Sequence, residues 1–352
     1  MKKKNVFIIA EAGVNHNGSI EIAKNLVDVA KIAGADAVKF QTFTADKLVT
    51  KYSPKARYQR ENTGISENHL EMLKRLELSK ESFAELYEYC AKNDIMFMST
   101  PFDVESADML DKLGMSIFKI SSGEITNRPL LRHIAAKGKP IILSTGMSYI
   151  EEVEKAIKWL YEPPCHSAKK SSKPGARCSL ALLHCTSSYP CPVKDANLNA
   201  IRTLQNIFHL PVGFSDHTPG IEVAIAAVAL GATIIEKHLT LDRNMQGPDH
   251  KASLIPGEFR SMVCAVRNVE NAMGDGIKRP ARHEIDTRKA ARRSIVALHD
   301  IAAGSIMEAK DIGLKRPGTG IAPEFMDVII GMELKRDVKD GSIITWEDLK
   351  NT

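Results

Sequence analysis

An α/β protein built on a closed (β/α)8 TIM barrel, with a small separate domain behind it, is the fold class this sequence predicts. Short β-rich apolar runs alternate with helical patterns eight times along the chain. Buried strands alternating with amphipathic helices make parallel βαβ units, and eight of them in about 270 residues match the barrel in count and length. The turn after the first strand reads Gly13-Val14-Asn15-His16-Asn17-Gly18. It lacks the GxGxxG spacing that a doubly wound, dinucleotide-binding sheet would carry.

Taken in order, the predicted strands are Val6–Ala12, Ala37–Thr42, Met96–Pro101, Ile117–Ser122, Pro140–Thr145, Leu180–Thr186, Val212–Asp216 and Thr233–Leu239. Helical periodicity falls between them, over Ile20–Ala33, Lys80–Lys92, Glu105–Leu113, Glu151–Tyr161 and Gly220–Leu230. Phe43–His69 follows the second strand, so it belongs to the carboxyl-end face of the barrel, where an insertion can cover a site. Glu162–Ser179, rich in Pro, Ser and Lys, precedes the sixth strand and falls on the opposite face as a tolerated decoration. The barrel is expected over 1–274 and a charged, apolar-poor linker over 275–293. A Gly-punctuated domain of roughly 60 residues, within the range that folds alone, is expected over 294–352.

Apolar residues make up 43% and charged residues 26%, which suits a packed core and excludes disorder by composition. The net charge is +5 with both signs interspersed, and the short basic clusters (Lys2–Lys4, Lys169–Lys173, and Arg288 with Arg292 and Arg293) are not interleaved with aromatics. A nucleic-acid partner is therefore not expected. The apolar run after the charged start is too short for a signal segment and no stretch approaches a membrane span, so a cytoplasmic enzyme with no membrane partner is expected. Six cysteines without a CxxC pair read as reduced thiols, and the Cys165, His166 and Cys178 spacing matches no zinc module.

Barrel active sites sit at the carboxyl ends of the strands, and polar residues collect there: Glu11; Lys39 and Gln41; Thr100; Lys119, Ser122 and Glu124; Ser144; His184; Ser215 and His217; Glu236 and His238. Alternation along a strand gives Lys39 and Gln41 one face, Ser215 and His217 another, and Glu236 and His238 a third. Burying two lysines without anionic partners is costly, so a bound anion is expected. Ion pairs with Glu11, Glu124 or Glu236 would account for any single lysine, but not for the whole ring. His217 and His238 end neighbouring strands only ~4.8 Å apart and can share one divalent ion, leaving positions for substrate and water. Closure brings the first strand beside the eighth, so Glu11 is expected near that ion as a general acid or base. Alternation also suggests that His184 lines the barrel while Cys185 is packing.

As strings, these residues resemble the sialic acid (N-acetylneuraminate) synthase family. IIAEAGVNHNG (8–18), GADAVKFQT (34–42), MFMSTPF (96–102), FKISSGE (118–124), PIILSTGM (140–147) and LLHCTSSYP (182–190) are followed by GFSDHT (213–218), IIEKHLT (234–240), GPDH (247–250) and KRPGTG (315–320). The strings span essentially the whole chain, and the C-terminal domain looks like the antifreeze-like domain of that family. Ice binding is not implied. The resemblance implies a phosphoenolpyruvate pocket of Lys39, Thr100, Lys119, Ser122, Ser144, Ser187 and Ser215, with Ser187 standing where the family often has Asn. It implies His217 and His238 as ligands of a manganese or magnesium ion, and Glu11 as a catalytic residue with them. It implies Gln41, Glu124, Tyr189 and Asp249, beside Glu11, as sugar and proton-handling residues. Arg316 would bind the N-acyl group from the partner protomer of a domain-swapped homodimer. The implied reaction joins phosphoenolpyruvate to the open-chain aldehyde of an N-acylated amino-sugar. N-acetylmannosamine giving N-acetylneuraminate is the first choice, and a 2,4-diacetamido-2,4,6-trideoxy-mannose giving legionaminate is the alternative. A 6-phosphorylated sugar is a third acceptor, and a Schiff-base aldolase using Lys119 and a non-catalytic carbohydrate-binding protein are the remaining alternatives.

Overall fold

The computed structural model describes residues 5–64, 67–162 and 179–350, which form two compact units, 1–274 and 275–352. In the first unit β1 (Phe7–Gly13), β2 (Ala37–Thr42), β3 (Met96–Pro101), β4 (Phe118–Ile120), β5 (Ile141–Ser144), β6 (Leu180–Cys185), β7 (Val212–Asp216) and β8 (Ile234–His238) make one parallel sheet. Its order is β3-β2-β1-β8-β7-β6-β5-β4, and β3 lies against β4 where the sheet meets itself. The eight-stranded barrel expected from the sequence is present.

Its helices form for local reasons. Ile20–Ala33 starts where the Ser19 hydroxyl accepts the Ile22 amide and stops at Gly34, whose φ of 87° favours glycine. It buries Ala23, Leu26, Val27, Ala30 and Ala33 on one face, the period an amphipathic helix needs. Outside the barrel wall, strand and helix side chains make one large apolar core. Inside it, Ile9, Ala37, Met98, Ile142, Leu183 and Ile234 plug the lower half, so the barrel is packed rather than open. That plug fixes the phase of each strand: the next inward residue up each strand must face the mouth.

Two local features re-aim the mouth. The β1–β2 register shifts between Glu11 and Gly13, an irregularity of the kind found beside active sites. β4 ends earlier than expected because Ser122–Glu124 turns into a 3-10 helix, swinging its serines across the top.

The second unit has its own core, including Ile295, Met307, Ile329, Leu334 and Ile344, around the antiparallel pair β9 (Ser294–Ala297) and β10 (Ile312–Lys315). The stretch expected to be an irregular linker differs in holding a helix, Glu284–Ala291, which buries none of its residues. No helix among the described residues is long and apolar enough to cross a membrane. Cys90, Cys185, Cys191 and Cys264 are free thiols, whereas Cys165, His166 and Cys178, with most of the Glu162–Ser179 insertion, lie outside the described residues.

Candidate active site

Four charged side chains sit directly above the apolar plug. Glu11 and Lys39 are paired across β1 and β2, and Ile9 and Glu236 across β1 and β8. Lys119 approaches from β4. Glu11, Lys39, Lys119 and Glu236 are each no more than 4% exposed, so their charges interact with little solvent screening. Lys39 is ion-paired with Glu11, and its Nζ lies 3.7 Å from Glu236 Oε2 and donates to Thr100 Oγ1 at 3.1 Å. Lys119 Nζ stands 3.4 Å from Glu236 Oε1, which also accepts from Ser215 Oγ at 2.9 Å. Gln41 Nε2 donates to Glu11 Oε1 at 3.2 Å. Carboxylate and ammonium thus alternate around the floor.

The alternation separates the ionisation of like groups. Burial alone would raise Glu236, but Lys119 and Lys39 outweigh it and hold this carboxyl at about 2. Burial prevails at Glu11, whose carboxyl is raised despite Lys39, with Glu236 adding to the rise. Lys39 is held above the usual lysine value because Glu11 and Glu236 overcome its burial, while burial pushes Lys119 down. Asp249 is pushed up to about 7 by burial and the nearby Glu11. Two carboxyls with opposite tendencies in one cavity are what acid–base chemistry near neutral pH requires.

The imidazoles of His217 and His238 have ring centroids 5.4 Å apart. His217 Nδ1 donates to the Thr186 carbonyl at 2.7 Å, leaving Nε2 with the lone pair, and the buried Nδ1 of His238 has no hydrogen-bond partner. Burial pushes His217 down to about 4, and burial with the neighbouring His217 holds His238 well below the ordinary histidine value. Both rings are therefore neutral at pH 7, the ligating form. Among the described residues no group of three or more His, Cys, Asp or Glu is arranged around an ion. The unpartnered nitrogens of the two neutral rings would supply a divalent ion with two donors, its remaining positions left to substrate and water.

Above the floor is a cavity of about 430 Å³. Hydroxyls close one side of it around Gly146, whose amide donates to Ser122 Oγ at 2.9 Å. A Cβ on Gly146 would stand 2.5 Å from Ser187 Oγ, 2.9 Å from Ser122 Oγ and 3.0 Å from Cys185 Sγ, so a side chain would fill this cradle. The Phe43–His69 insertion reaches the cavity through Ala56, Tyr58 and Gln59, and the Tyr58 ring packs 5.0 Å from Tyr189. Asp249 is held there from both sides. Asn15 Nδ2 donates to Ser253 Oγ at 2.8 Å, Ser253 Oγ donates to the Asp249 carbonyl at 2.7 Å, and Asn62 Nδ2 donates to the Pro248 carbonyl at 2.7 Å.

The cavity brings together Glu11, Lys39, Gln41, Thr100, Lys119, Ser122, Ser144, Ser187, Tyr189, Ser215, His217, His238 and Asp249. Glu124 is not among the lining residues. Its carboxylate accepts Asn127 Nδ2 at 2.6 Å, and Asn127 in turn caps the helix Arg128–Ala135. Arg316 belongs to the second unit, exposed at a cis bond to Pro317.

Two sequence expectations are corrected. His184 points outward, with Nε2 against the Ala196 carbonyl at 2.8 Å and its ring 5.8 Å from Phe214. Cys185 is the residue that faces the cavity, with Sγ 3.2 Å from Ser122 Oγ. The reason is phase: Leu183 belongs to the internal plug and Cys185 pairs with the inward Ser215. In Leu-Ala-Leu-Leu-His-Cys both parities are apolar enough to hide that phase. The buried lysines also need an outside anion less than expected, since Glu11 and Glu236 already stand between them. Glu236, expected from the sequence as a possible ion-pair partner of the lysines, stands beside both of them in the floor. Its alternation with His238 was the available signal.

Known proteins share this architecture. The NeuB family profile matches residues 26–278 and the SAF domain profile residues 292–350. The N,N'-diacetyllegionaminic acid synthase of Legionella pneumophila is 47% identical over 344 residues, covering 98% of this chain and 94% of that protein. Its Campylobacter jejuni counterpart is 45% identical over 341 residues, covering 97% and 99%. The N-acetylneuraminate-9-phosphate synthase of Homo sapiens is 34% identical over 350 residues, covering 98% and 93%. The crystal structure of N-acetylneuraminic acid (sialic acid) synthetase from Leptospira borgpetersenii, in complex with citrate, aligns with a TM-score of 0.70 at 36% identity. That alignment covers 81% of this chain and 90% of the other.

Proposed function

This chain belongs to the NeuB family, and from that premise we propose that it condenses phosphoenolpyruvate with a 2,4-diacetamido-2,4,6-trideoxy-mannose to give a legionaminate-type nonulosonate and phosphate. Phosphoenolpyruvate-dependent carbon–carbon bond formation is the family's reaction class. The choice of acceptor rests on one feature of the cavity. One of its walls is apolar, made by Val14, Met72, Leu73, Leu76 and Phe102 from the cluster at the first three βα loops. A sugar with a methyl group at C6 and a second acetamido group loses little against such a wall. N-acetylmannosamine, the first choice from the sequence, would bury hydroxyls there at a cost of about 1–3 kcal/mol for each left unpaired. The 45–47% identity to diacetyllegionaminic acid synthases, against 34% to the human 9-phosphate synthase, supports the same order.

In this reading Lys39, Lys119 and the hydroxyls of Thr100, Ser122, Ser144, Ser187 and Ser215 bind the carboxylate and phosphate of phosphoenolpyruvate. Lys39, Lys119, Thr100, Ser144 and Ser215 are fixed on strands and need no rearrangement as charge moves. The enol carbon bonds to the aldehyde carbon of the sugar, and water adds to the carbon bearing the phosphate. Glu11 takes that water's proton. Collapse of the tetrahedral centre breaks the C–O bond to phosphate as the added hydroxyl becomes the ketone C=O, its proton leaving with the phosphate. Asp249, with a carboxyl near 7, holds a proton for the new hydroxyl. Gln41 and Tyr189 orient the sugar, and Glu124 joins them only if its bond to Asn127 is released. His217 and His238 would hold a manganese or magnesium ion, which when bound polarises the carbonyl. The homodimer in which Arg316 serves the partner's site is part of the same proposal.

Offered both aldehydes in equal amounts, the enzyme is expected to give predominantly the diacetamido product, by about tenfold if one hydroxyl goes unpaired. Mass spectrometry of the products decides it, and a dominant N-acetylneuraminate peak would reverse the assignment. Chelation with EDTA is expected to abolish phosphate release and added Mn2+ to restore it. Full activity after exhaustive chelation would remove the ion from the scheme.

A further inference from the structure

We propose that Asp216 and Lys237 form a buried clamp that sets the spacing of the His217 and His238 imidazoles. The inference rests on the reading of those rings as a shared ion site. Each clamp residue immediately precedes one of the histidines, and alternation sends both to the outer side of the barrel wall. Asp216 and Lys237 are directly paired in the β7–β8 register, and both side chains are completely buried. Lys237 Nζ donates to Asp216 Oδ2 at 2.7 Å and to the Thr218 carbonyl at 2.5 Å. Asp216 Oδ1 accepts the Thr218 amide at 2.8 Å and the Thr218 hydroxyl at 2.7 Å.

The consequence is geometric. Asp216 and Thr218 are both tied to Lys237, so the backbone of His217 is held on each side, and the same lysine adjoins His238. The Thr186 carbonyl fixes the rotation of the His217 ring from the opposite side. A buried ion pair contributes little net stability compared with well-packed apolar side chains, because both charges must be desolvated. Apolar packing, however, has no directional bonds and would leave the turn beyond β7, which carries His217 and Thr218, without the bonds that Lys237 and Asp216 make to it. Asp216 and Lys237 are positioning residues and touch no substrate.

The test uses the full chain with both charges removed together, Asp216→Asn/Lys237→Met, since either change alone strands a charge. The amide oxygen that replaces the carboxylate can still accept the Thr218 N–H. Mn2+ binding, followed by electron paramagnetic resonance of the free ion, is expected to weaken about tenfold in the folded variant, the lower end of the range for groups bonded directly to a metal ligand. A fall in kcat with KM for phosphoenolpyruvate nearly unchanged is expected beside it. Wild-type Mn2+ affinity with only a lowered Tm would reduce the pair to a structural role and overturn the proposal. If the double variant does not fold, Thr218→Val decides, since it removes only the hydroxyl bond to Asp216. A few-fold loss of Mn2+ affinity supports the clamp and unchanged affinity overturns it. If the wild-type protein itself binds no Mn2+, the ion reading fails independently. The clamp is then judged by the 15N shifts of the two imidazoles, which must move in the variant for it to stand.

Discussion

Glu11→Gln is expected to lower kcat for phosphate release by about 10²–10⁴-fold, the range for loss of a positioned acid–base group. The variant keeps the side chain's volume and its contact with Gln41, so the fold should survive. Its effect on binding has the opposite sign to its effect on turnover. Glu11 is ion-paired with Lys39 in a floor that must receive a carboxylate and a phosphate, so removing its charge frees Lys39 for the substrate. KM for phosphoenolpyruvate should therefore stay level or fall while kcat collapses. Were Glu11 merely the structural counter-ion of Lys39, the variant would melt earlier and turn over normally. His217→Ala is expected to be comparably inactive. Near-wild-type turnover in either variant would refute the role given to that residue.

Lys119→Met should lower kcat/KM for phosphoenolpyruvate by about 30- to 1,000-fold, corresponding to ~2–4 kcal/mol of lost transition-state stabilisation. Methionine nearly matches the lysine stem in volume, and Glu236 retains Lys39 at 3.7 Å, so no carboxylate is left without a cation. The loss should appear in binding as well as turnover, because Lys119 is read as touching the substrate's charge before and during reaction. The same experiment addresses the aldolase alternative, which needs a lysine held below its ordinary pKa, as Lys119 is. Borohydride with pyruvate is expected to trap no adduct on the wild-type protein. A covalent adduct at Lys119, absent in Lys119→Met, would require the imine mechanism.

The strand pattern, the barrel and the polar ring were legible in the sequence because they follow from local periodicity. Lys39 and Gln41, or Glu236 and His238, share a face by alternation alone, and parallel connections force their ends to one side of the barrel. The motif strings singled out scattered serines that no periodicity marks, and these line the cavity. Tertiary structure was needed wherever phase or partner choice depends on distant residues. His184 and Cys185 could not be sorted from a strand apolar at both parities, since only the plug around Leu183 sets which one faces inward. Glu124 was drawn to Asn127 at a helix start, a local bond that competes with the cavity. The ionisation of Glu11 against Glu236, and of Lys39 against Lys119, arises from how four charges from different strands divide one another's fields. Those fields depend on separations of a few ångströms that closure of the barrel alone creates.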